Sequence, residues 1–447
     1  MKLFKPLIVF LFISTFFSLN VIGQGKFHIT GNKHKQQLSF IHKNNLIIIP
    51  MEVNGKSLNF ILDTGVSRTL LFNLNQIDSL DLKEIKKIKI RGLGSNKPVN
   101  ALLSKNNEFK LKNIVGSHQN LLFILDSDFD LSAKLGLTIH GIIGYDLMKD
   151  FVVEINYLHK KITFYKSSKF PTRKIRKAEL LPLTFYNNKP YVHVNIKLEK
   201  LQDPILVKLL IDSGGSDGLW LFKSSNPLIV DPEHYFEDYL GEGLSGIIRG
   251  KRSKIHSIFM GRYELKQPTV SYPDSSAIAL ARKHLDRNGS IGGTVLSRFK
   301  VILDYKNAAM YLKKGRNFHA PFNYNMSGIE LVYNGKILVK EESTAMRSDV
   351  FLSNNVNRGV ELLLDYNYNF IFKPSYSIFS IRENSPAYKA GLKKGDVIIS
   401  VNNKYAHLLK MEEIVHSFYS KPNRKFKITV DRNGSEYTFS FKLRKVI

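Results

Sequence analysis

The sequence predicts a mainly β protein: two lobes of like construction, followed by a smaller module of mixed α and β structure. Three observations carry this. A turn of the form Asp, small hydroxyl residue, Gly ends an apolar run twice, as Phe60-Ile-Leu-Asp63-Thr64-Gly65 and as Leu209-Leu-Ile-Asp212-Ser213-Gly214. Each copy is followed at nearly the same distance by an apolar-Gly landmark: 81 positions separate Asp63 from Gly144, and 80 separate Asp212 from Gly292. Runs of Ile, Val, Phe and Tyr, punctuated by Gly and Asn, favour strands throughout. A hydrophobic content of 43% with 15 Pro and 29 Gly is that of a folded chain, and 447 residues are too many for one core.

In chain order, Lys2 and Lys5 precede an apolar run from Leu7 to Leu19, and Val21-Ile-Gly23 supplies permissive residues before a cut, so residues 1–23 read as a secretory signal peptide. The run is shorter than the ~20 residues of a membrane span. No stable span is expected after removal, and the mature chain is expected to be exported, to the periplasm or the exterior, or held at a cell surface. Gln24 to Asn45 is polar and basic, a pro-segment or an N-terminal strand entered at Leu38-Ser-Phe40; the strand is preferred. Asn45 to Gly55 reads as a strand ending in an Asn54-Gly55 hairpin turn. Asn75 to Ile85 is expected to hold a short helix. Ile88 to Leu103 reads as two strands around a Gly-rich tip, Gly92 to Pro98. Gly141-Ile-Ile-Gly144 leads through one helical turn into a strand from Phe151, and the block closes near Tyr165.

Tyr191-Val-His-Val-Asn-Ile opens a second block with the same landmarks. Gly241-Glu-Gly243-Leu-Ser-Gly246 is its Gly-rich tip, and Ser290-Ile-Gly292 leads through a helical turn to Phe299, a strand and Tyr305. The repeat of 149 residues from Asp63 to Asp212 is far beyond the roughly 20–50 of solenoids, so a domain has been duplicated. From about His319 the texture changes to a connecting region, and a third module follows. The expected boundaries are 24–175 for the first lobe, 176–318 for the second, 319–359 for the connection and 360–447 for the C-terminal module.

Composition excludes several classes of chemistry. Without Cys there are no disulfides, no thiol catalysis, no cysteine-ligated metal and no lipid on a cysteine. The 66 Lys and Arg outnumber the 38 Asp and Glu, giving +28, but they are spread along the chain. With no basic block or aromatic-plus-Arg platform, this describes a solvated basic surface and not a nucleic-acid site. The 13 His show no paired spacing, so neither a metal nor another cofactor is expected.

The chemistry lies in the repeated turn. A carboxylate ending a buried strand is costly unless it is hydrogen-bonded or shares a proton, and two brought side by side end up sharing one. Such a pair can activate a water. One Asp-Thr-Gly alone is weak; the duplicated context gives it weight. Gly214-Gly-Ser216-Asp-Gly218 also fits a Gly-x-Ser-x-Gly nucleophile elbow, but apolar Leu219-Trp-Leu-Phe222 follows it where a helix should begin. Glu154 and Asp304 hold matching places late in each lobe and read as structural strand-end residues.

On these motifs the chain, over roughly residues 40 to 315, resembles the aspartic proteases of pepsin-like and retroviral type. The resemblance implies the pepsin-like acid protease fold, two homologous β-barrel-like lobes with Asp63 and Asp212 at the floor of the cleft between them. One carboxylate would take a proton from the attacking water while its protonated partner donates to the peptide carbonyl. Thr64 and Ser213 would tie the two loops together, Gly65 and Gly214 would keep them tight, and Gly92, Leu93 and Gly94 would form the flap. The chain departs from the pepsin pattern at Val66 and Gly215, where pepsins carry a supporting hydroxyl, in lacking a flap Tyr, and in the added acid Asp217. Asn384-Ser-Pro-Ala-Tyr-Lys-Ala-Gly-Leu-Lys-Lys-Gly-Asp396 onward resembles a bacterial PDZ domain over about residues 360–447, α+β in class. That implies capture of a chain terminus or extended peptide as an added strand. Its carboxylate-binding loop should precede Ser377, where Phe372-Lys-Pro-Ser-Tyr376 matches poorly. The expected function is that of a monomeric, exported aspartic endopeptidase acting on peptide or protein substrates, with the PDZ-like domain for docking. The competing class is a non-catalytic peptide-binding protein that keeps the fold.

Overall fold

The computed structural model describes residues 25–74, 79–94, 97–125, 131–283, 286–343 and 367–447. The expected leader, residues 1–23, lies outside them. The chain is mainly β, with short helical turns between strands. Where a helix was expected over 75–85, the described residues 79–85 run without regular structure.

Each lobe is built on the same crossing of strands. In the first, Leu46–Val53 and Lys56–Leu62 form a hairpin through Asn54 and Gly55, both at positive φ as a two-residue turn requires. Lys56–Leu62 then pairs in parallel with Gly141–Ile143, which pairs antiparallel with Thr69–Leu71. In the second lobe Lys189–Lys197 and Ile205–Ile211 form the hairpin, Ile205–Ile211 pairs in parallel with Gly289–Ile291, and that strand pairs antiparallel with Leu219–Leu221. The apolar-Gly landmarks of the sequence are therefore the short strands laid beside each Asp-bearing strand.

The lobes join through a continuous sheet. Phe151–Asn156 of the first pairs antiparallel with Phe299–Asp304 of the second, with Val152 opposite Asp304 and Asn156 opposite Lys300. Lys161–Lys166 and Lys35–Ser39 extend it on one side, Ala309–Lys314 and Glu179–Tyr186 on the other. One buried apolar cluster runs from Phe27 through both lobes to Phe322. Glu154 stands in mid-strand, not at a strand end, where Lys174 (2.7 Å) and Lys300 (2.5 Å) neutralise it. Asp304 caps a turn through Asn307.

The C-terminal module has its own core around Ile329, Ile378 and Ile428. Its sheet runs in the order Ile329–Ser343, Asn367–Ile381, Val397–Val401, Lys425–Arg432, Ser435–Lys442. The first of these strands comes from the segment read as a connection, whose apolar residues Ile329 and Leu331 are buried in this core. Phe372 to Tyr376, the segment before Ser377 where a carboxylate-binding loop is expected, lies inside a strand. Asp396 is buried and held by Arg432 at 2.7 and 2.8 Å and by the Lys393 amide.

This module sits against the second lobe through charge and aromatic contacts. The Arg382 guanidinium lies over the Phe236 ring at 4.0 Å, and Tyr239 meets Phe379 edge-on at 5.6 Å. Beneath them Arg252 bridges Asp217 (2.7 Å) and Asp238 (2.9 Å), with all three side chains at most 14% exposed. Burial, and then Asp238, push the neighbouring Glu330 carboxyl up to about 7. Removing one member of such a cluster strands the others. Arg252→Ala is expected to destabilise the protein by about 3–5 kcal/mol in denaturant unfolding, because two buried carboxylates lose their cation.

Candidate active site

Each Asp is placed by its own lobe's strand crossing. The Asp63 amide donates to the Ile143 carbonyl (2.8 Å) and the Asp212 amide to that of Ile291 (2.9 Å), so each carboxylate emerges where the two parallel strands end. The landmark glycines are needed for contact. A Cβ at Gly144 would stand 1.9 Å from the Asp63 carbonyl oxygen, and one at Gly292 would stand 2.3 Å from that of Asp217.

The two turns meet back to back. The Thr64 amide donates to Ser213 Oγ (3.0 Å) while Thr64 Oγ1 donates to the Ile211 carbonyl (2.6 Å). In mirror fashion the Ser213 amide donates to Thr64 Oγ1 (3.0 Å), and Ser213 Oγ donates to the Leu62 carbonyl (2.8 Å). Both hydroxyl residues are buried, so these four bonds are shielded from competing water. The Gly65 amide donates to Asp63 Oδ1 at 2.6 Å. A Cβ at Gly65 would stand 3.1 Å from Asp63 Oδ1 and 3.2 Å from Asp212 Oδ1, so the two carboxylates flank one point. Gly214 packs against the other carboxylate, where a Cβ would fall 2.2 Å from Asp63 Cγ. Burial first, and then the charge of Asp212, raise the Asp63 carboxyl well above the ordinary carboxylate range, against the pull of the Gly65 amide and Lys189.

The positions without a hydroxyl, Val66 and Gly215, act through their backbones. The Val66 carbonyl accepts from the Tyr145 amide (3.1 Å) and that of Gly215 from the Gly293 amide (2.6 Å), each binding its loop to the helical turn behind it. Asp217 is held by Arg252, by Trp220 Nε1 (2.9 Å) and by Ser271 Oγ (2.7 Å). Ser216 precedes Gly218 and the strand Leu219–Leu221, so the strand-to-helix turn of a nucleophile elbow is not formed.

Two hairpin tips, one from each lobe, meet. Gly94 bridges to Ser245, the Ser245 amide donates to the Leu93 carbonyl (2.9 Å), and the Gly92 amide donates to Ser245 Oγ (3.1 Å). Leu93, from the first lobe, packs against the cluster of Phe222, Ile278 and Ala281 in the second, whereas Leu244, from the second, packs against the apolar cluster of Leu46 and Ile48 in the first. Ser95 and Asn96 of the first tip lie outside the described residues. The sequence offered no reason to single out Ser245, nor Asn45, whose side chain crosses lobes to Thr294 Oγ1 (2.8 Å). Their partners lie far along the chain.

Each of two like lobes thus supplies one aspartate, and the two turns are joined by exchanged hydroxyl bonds. Residues 49–147, which include Asp63, match the aspartyl protease family model, and residues 378–432 match a PDZ domain. The chain thus carries an aspartyl protease segment followed by a C-terminal PDZ domain, a peptide- or protein-binding module. It is also similar to the "Serine protease HtrA-like" proteins of two Staphylococcus epidermidis strains, 23% identical over 278 residues. That stretch is 59% of this chain and 44% of the relatives, so the chain spans less than half of their length. No helix among the described residues is long and apolar enough to cross a membrane.

Two outcomes are expected. Thr64→Val should cost about 1–3 kcal/mol in denaturant unfolding by leaving the Ser213 amide unpaired, and Thr64→Ser should recover most of it. For Asp63, both folded and unfolded chains hold the proton below about pH 4. Above that the unfolded chain ionises first, so the raised carboxyl subtracts stability progressively as pH rises towards its folded value. The melting temperature of Asp63→Asn relative to the parent should therefore be unchanged in acid and rise as pH climbs from 4 towards neutrality.

Proposed function

We propose that this protein is an exported aspartic endopeptidase, with two barrel-like lobes and an Asp63/Asp212 dyad that hydrolyses peptide bonds without metal or cofactor. The observation that carries the proposal is the flanking of one point by both carboxylates, fixed by the exchanged Thr64 and Ser213 bonds. The raised Asp63 is the carboxyl that keeps the shared proton. Asp212 takes a proton from the water as its oxygen bonds to the peptide carbon, and Asp63 gives its proton to the carbonyl oxygen. The gem-diol then collapses: the C–N bond breaks, Asp212 returns a proton to the leaving amine, and a hydroxyl proton goes back to Asp63. Both acids come from one chain, so a monomer suffices. The paired hairpins at Leu93 and Leu244 serve as a double flap, nearer the retroviral arrangement than that of pepsin.

The PDZ domain, which we count from about Tyr324, docks substrate or partner proteins. The strand Ile329–Ser343 lies at the edge of its sheet, the place where an added peptide strand would pair. The leader over residues 1–23 supports export. Asp63→Asn and Asp212→Asn should each lower peptide cleavage at least a thousandfold while leaving circular dichroism and the unfolding transition cooperative. The pH–rate profile of the parent should be bell-shaped, from loss of the attacking base in acid and of the shared proton in alkali. Undiminished cleavage in either variant would falsify the dyad mechanism.

A further inference from the structure

The duplication allows the two walls of the cleft to be compared residue by residue. Ile48 pairs with Ile61 and Tyr191 with Leu210; continued in the same register, Leu46 falls opposite Asp63 and Lys189 opposite Asp212. Both residues follow a turn through two asparagines at positive φ, Asn44 and Asn45 (48° and 61°) or Asn187 and Asn188 (48° and 64°). On the neighbouring strands Gly141 and Gly289 correspond, because each pairs in parallel three residues before its Asp. Ile139 therefore answers to Arg287, and Ile142 to Ser290.

In the first lobe these positions form one apolar cluster: Leu46, Ile48, Ile139 and Ile142 around Phe72. In the second lobe the aromatic ring persists as Phe222, but the rest of the wall is Lys189, Tyr191, Arg287 and Ser290. Arg287 is only 6% exposed, with its guanidinium 5.0 Å from the Phe222 ring centre and its Nε–H donating to the Gly289 carbonyl (3.0 Å). The buried Tyr191 hydroxyl lies beside it without meeting hydrogen-bond geometry and has no other hydrogen-bond partner among the described residues. Neither Arg287 nor Lys189 forms an ion pair with a carboxylate among the described residues. Burial lowers the proton affinity of both cations, and Asp212 pulls each the other way, so they feel the dyad. A dyad sharing one proton carries one negative charge, which leaves two cations short of one anion.

We propose that Lys189, Tyr191 and Arg287 form a subsite for a carboxylate, the side chain of an Asp or Glu next to the scissile bond, while the first-lobe wall takes an apolar residue on the other side. The inference rests on the reading of the cleft as a protease site. The carboxylate would supply the missing anion and give the Tyr191 hydroxyl an acceptor. Specificity is thus built by making two like walls unlike.

The test uses the full-length protein and one library of blocked octapeptides, each with a central pair randomised among Phe, Leu, Asp, Asn, Glu and Gln. Cleavage is read by mass spectrometry, and retention on immobilised protein reads binding without turnover. Expected is a kcat/KM at least about tenfold higher for Glu or Asp than for Gln or Asn at one position beside the cleaved bond, the scale of a charge-assisted hydrogen bond in a buried site. Lys189→Leu, which installs the first-lobe residue, should bring that ratio towards one, and Arg287→Lys should reduce it. Generic attraction of acidic peptides to a chain of net charge +28 survives either substitution, so only discrimination lost in the variants counts. Cleavage blind to the carboxylate, or a preference unchanged in both variants, overturns the subsite and leaves the protease reading standing. Retention of acidic peptides that Lys189→Leu abolishes, with no cleavage at any pH, keeps the subsite and sinks the protease reading. No cleavage and no such discrimination overturns both.

Discussion

Everything at the centre of this molecule depends on holding two half-buried carboxylates beside each other. Two like charges in a site of low polarity repel, and each would separately prefer water. The force that overcomes this comes from the residue after each Asp. Thr64 and Ser213 each accept from the other's amide and donate to a carbonyl on the other lobe's strand, so four hydrogen bonds pass between the lobes within a few residues. A hydroxyl suits this role because it can accept and donate at once. The lobes are also sewn into one sheet by Phe151–Asn156 and Phe299–Asp304. That sheet brings them together, and the hydroxyl pair fixes the last ångström.

The duplication explains spacings that would otherwise be arbitrary. The carbonyls of Ile143 and Ile291 receive the Asp amides, and the glycines that follow must let loop backbones pass where a Cβ would collide. Two lobes that solve the same packing problem need the same distance from Asp to Gly. The interval is set by how much chain is required to leave the Asp strand, build the hairpin layer and return alongside.

What is legible in the sequence follows contact range. The Asp turns, their Gly landmarks, the Asn-Gly hairpins and the segment from Ser385 to Asp396 are local patterns, in which backbone conformation and close approach select residue types within a few positions. The features that escape are long-range. Arg252 is one of many basic residues until folding sets it between Asp217 and Asp238. Lys189 looks like any hairpin lysine until the ladder brings it across from Asp212. Ile329–Ser343 reads as a connection because its partner strand begins only at Asn367, far along the chain. The missing hydroxyls at Val66 and Gly215 look like a defect in the sequence, yet the carbonyls there do the binding to the helical turns, and a carbonyl carries no residue-type signature.

The crossed hairpin tips have an energetic meaning of their own. Leu93 and Leu244 each rest in the opposite lobe, so neither tip can lift while the other stays fully packed. Exposing two half-buried leucines and giving up the contacts at Ser245 costs on the order of 2–4 kcal/mol, which leaves roughly one molecule in thirty to one in a thousand open at any instant. Apparent affinity for anything that must part the two tips is weakened by that same fraction. An occupant whose own side chains replace those leucine contacts recovers the loss, so the latch itself selects for ligands long enough to reach both lobes.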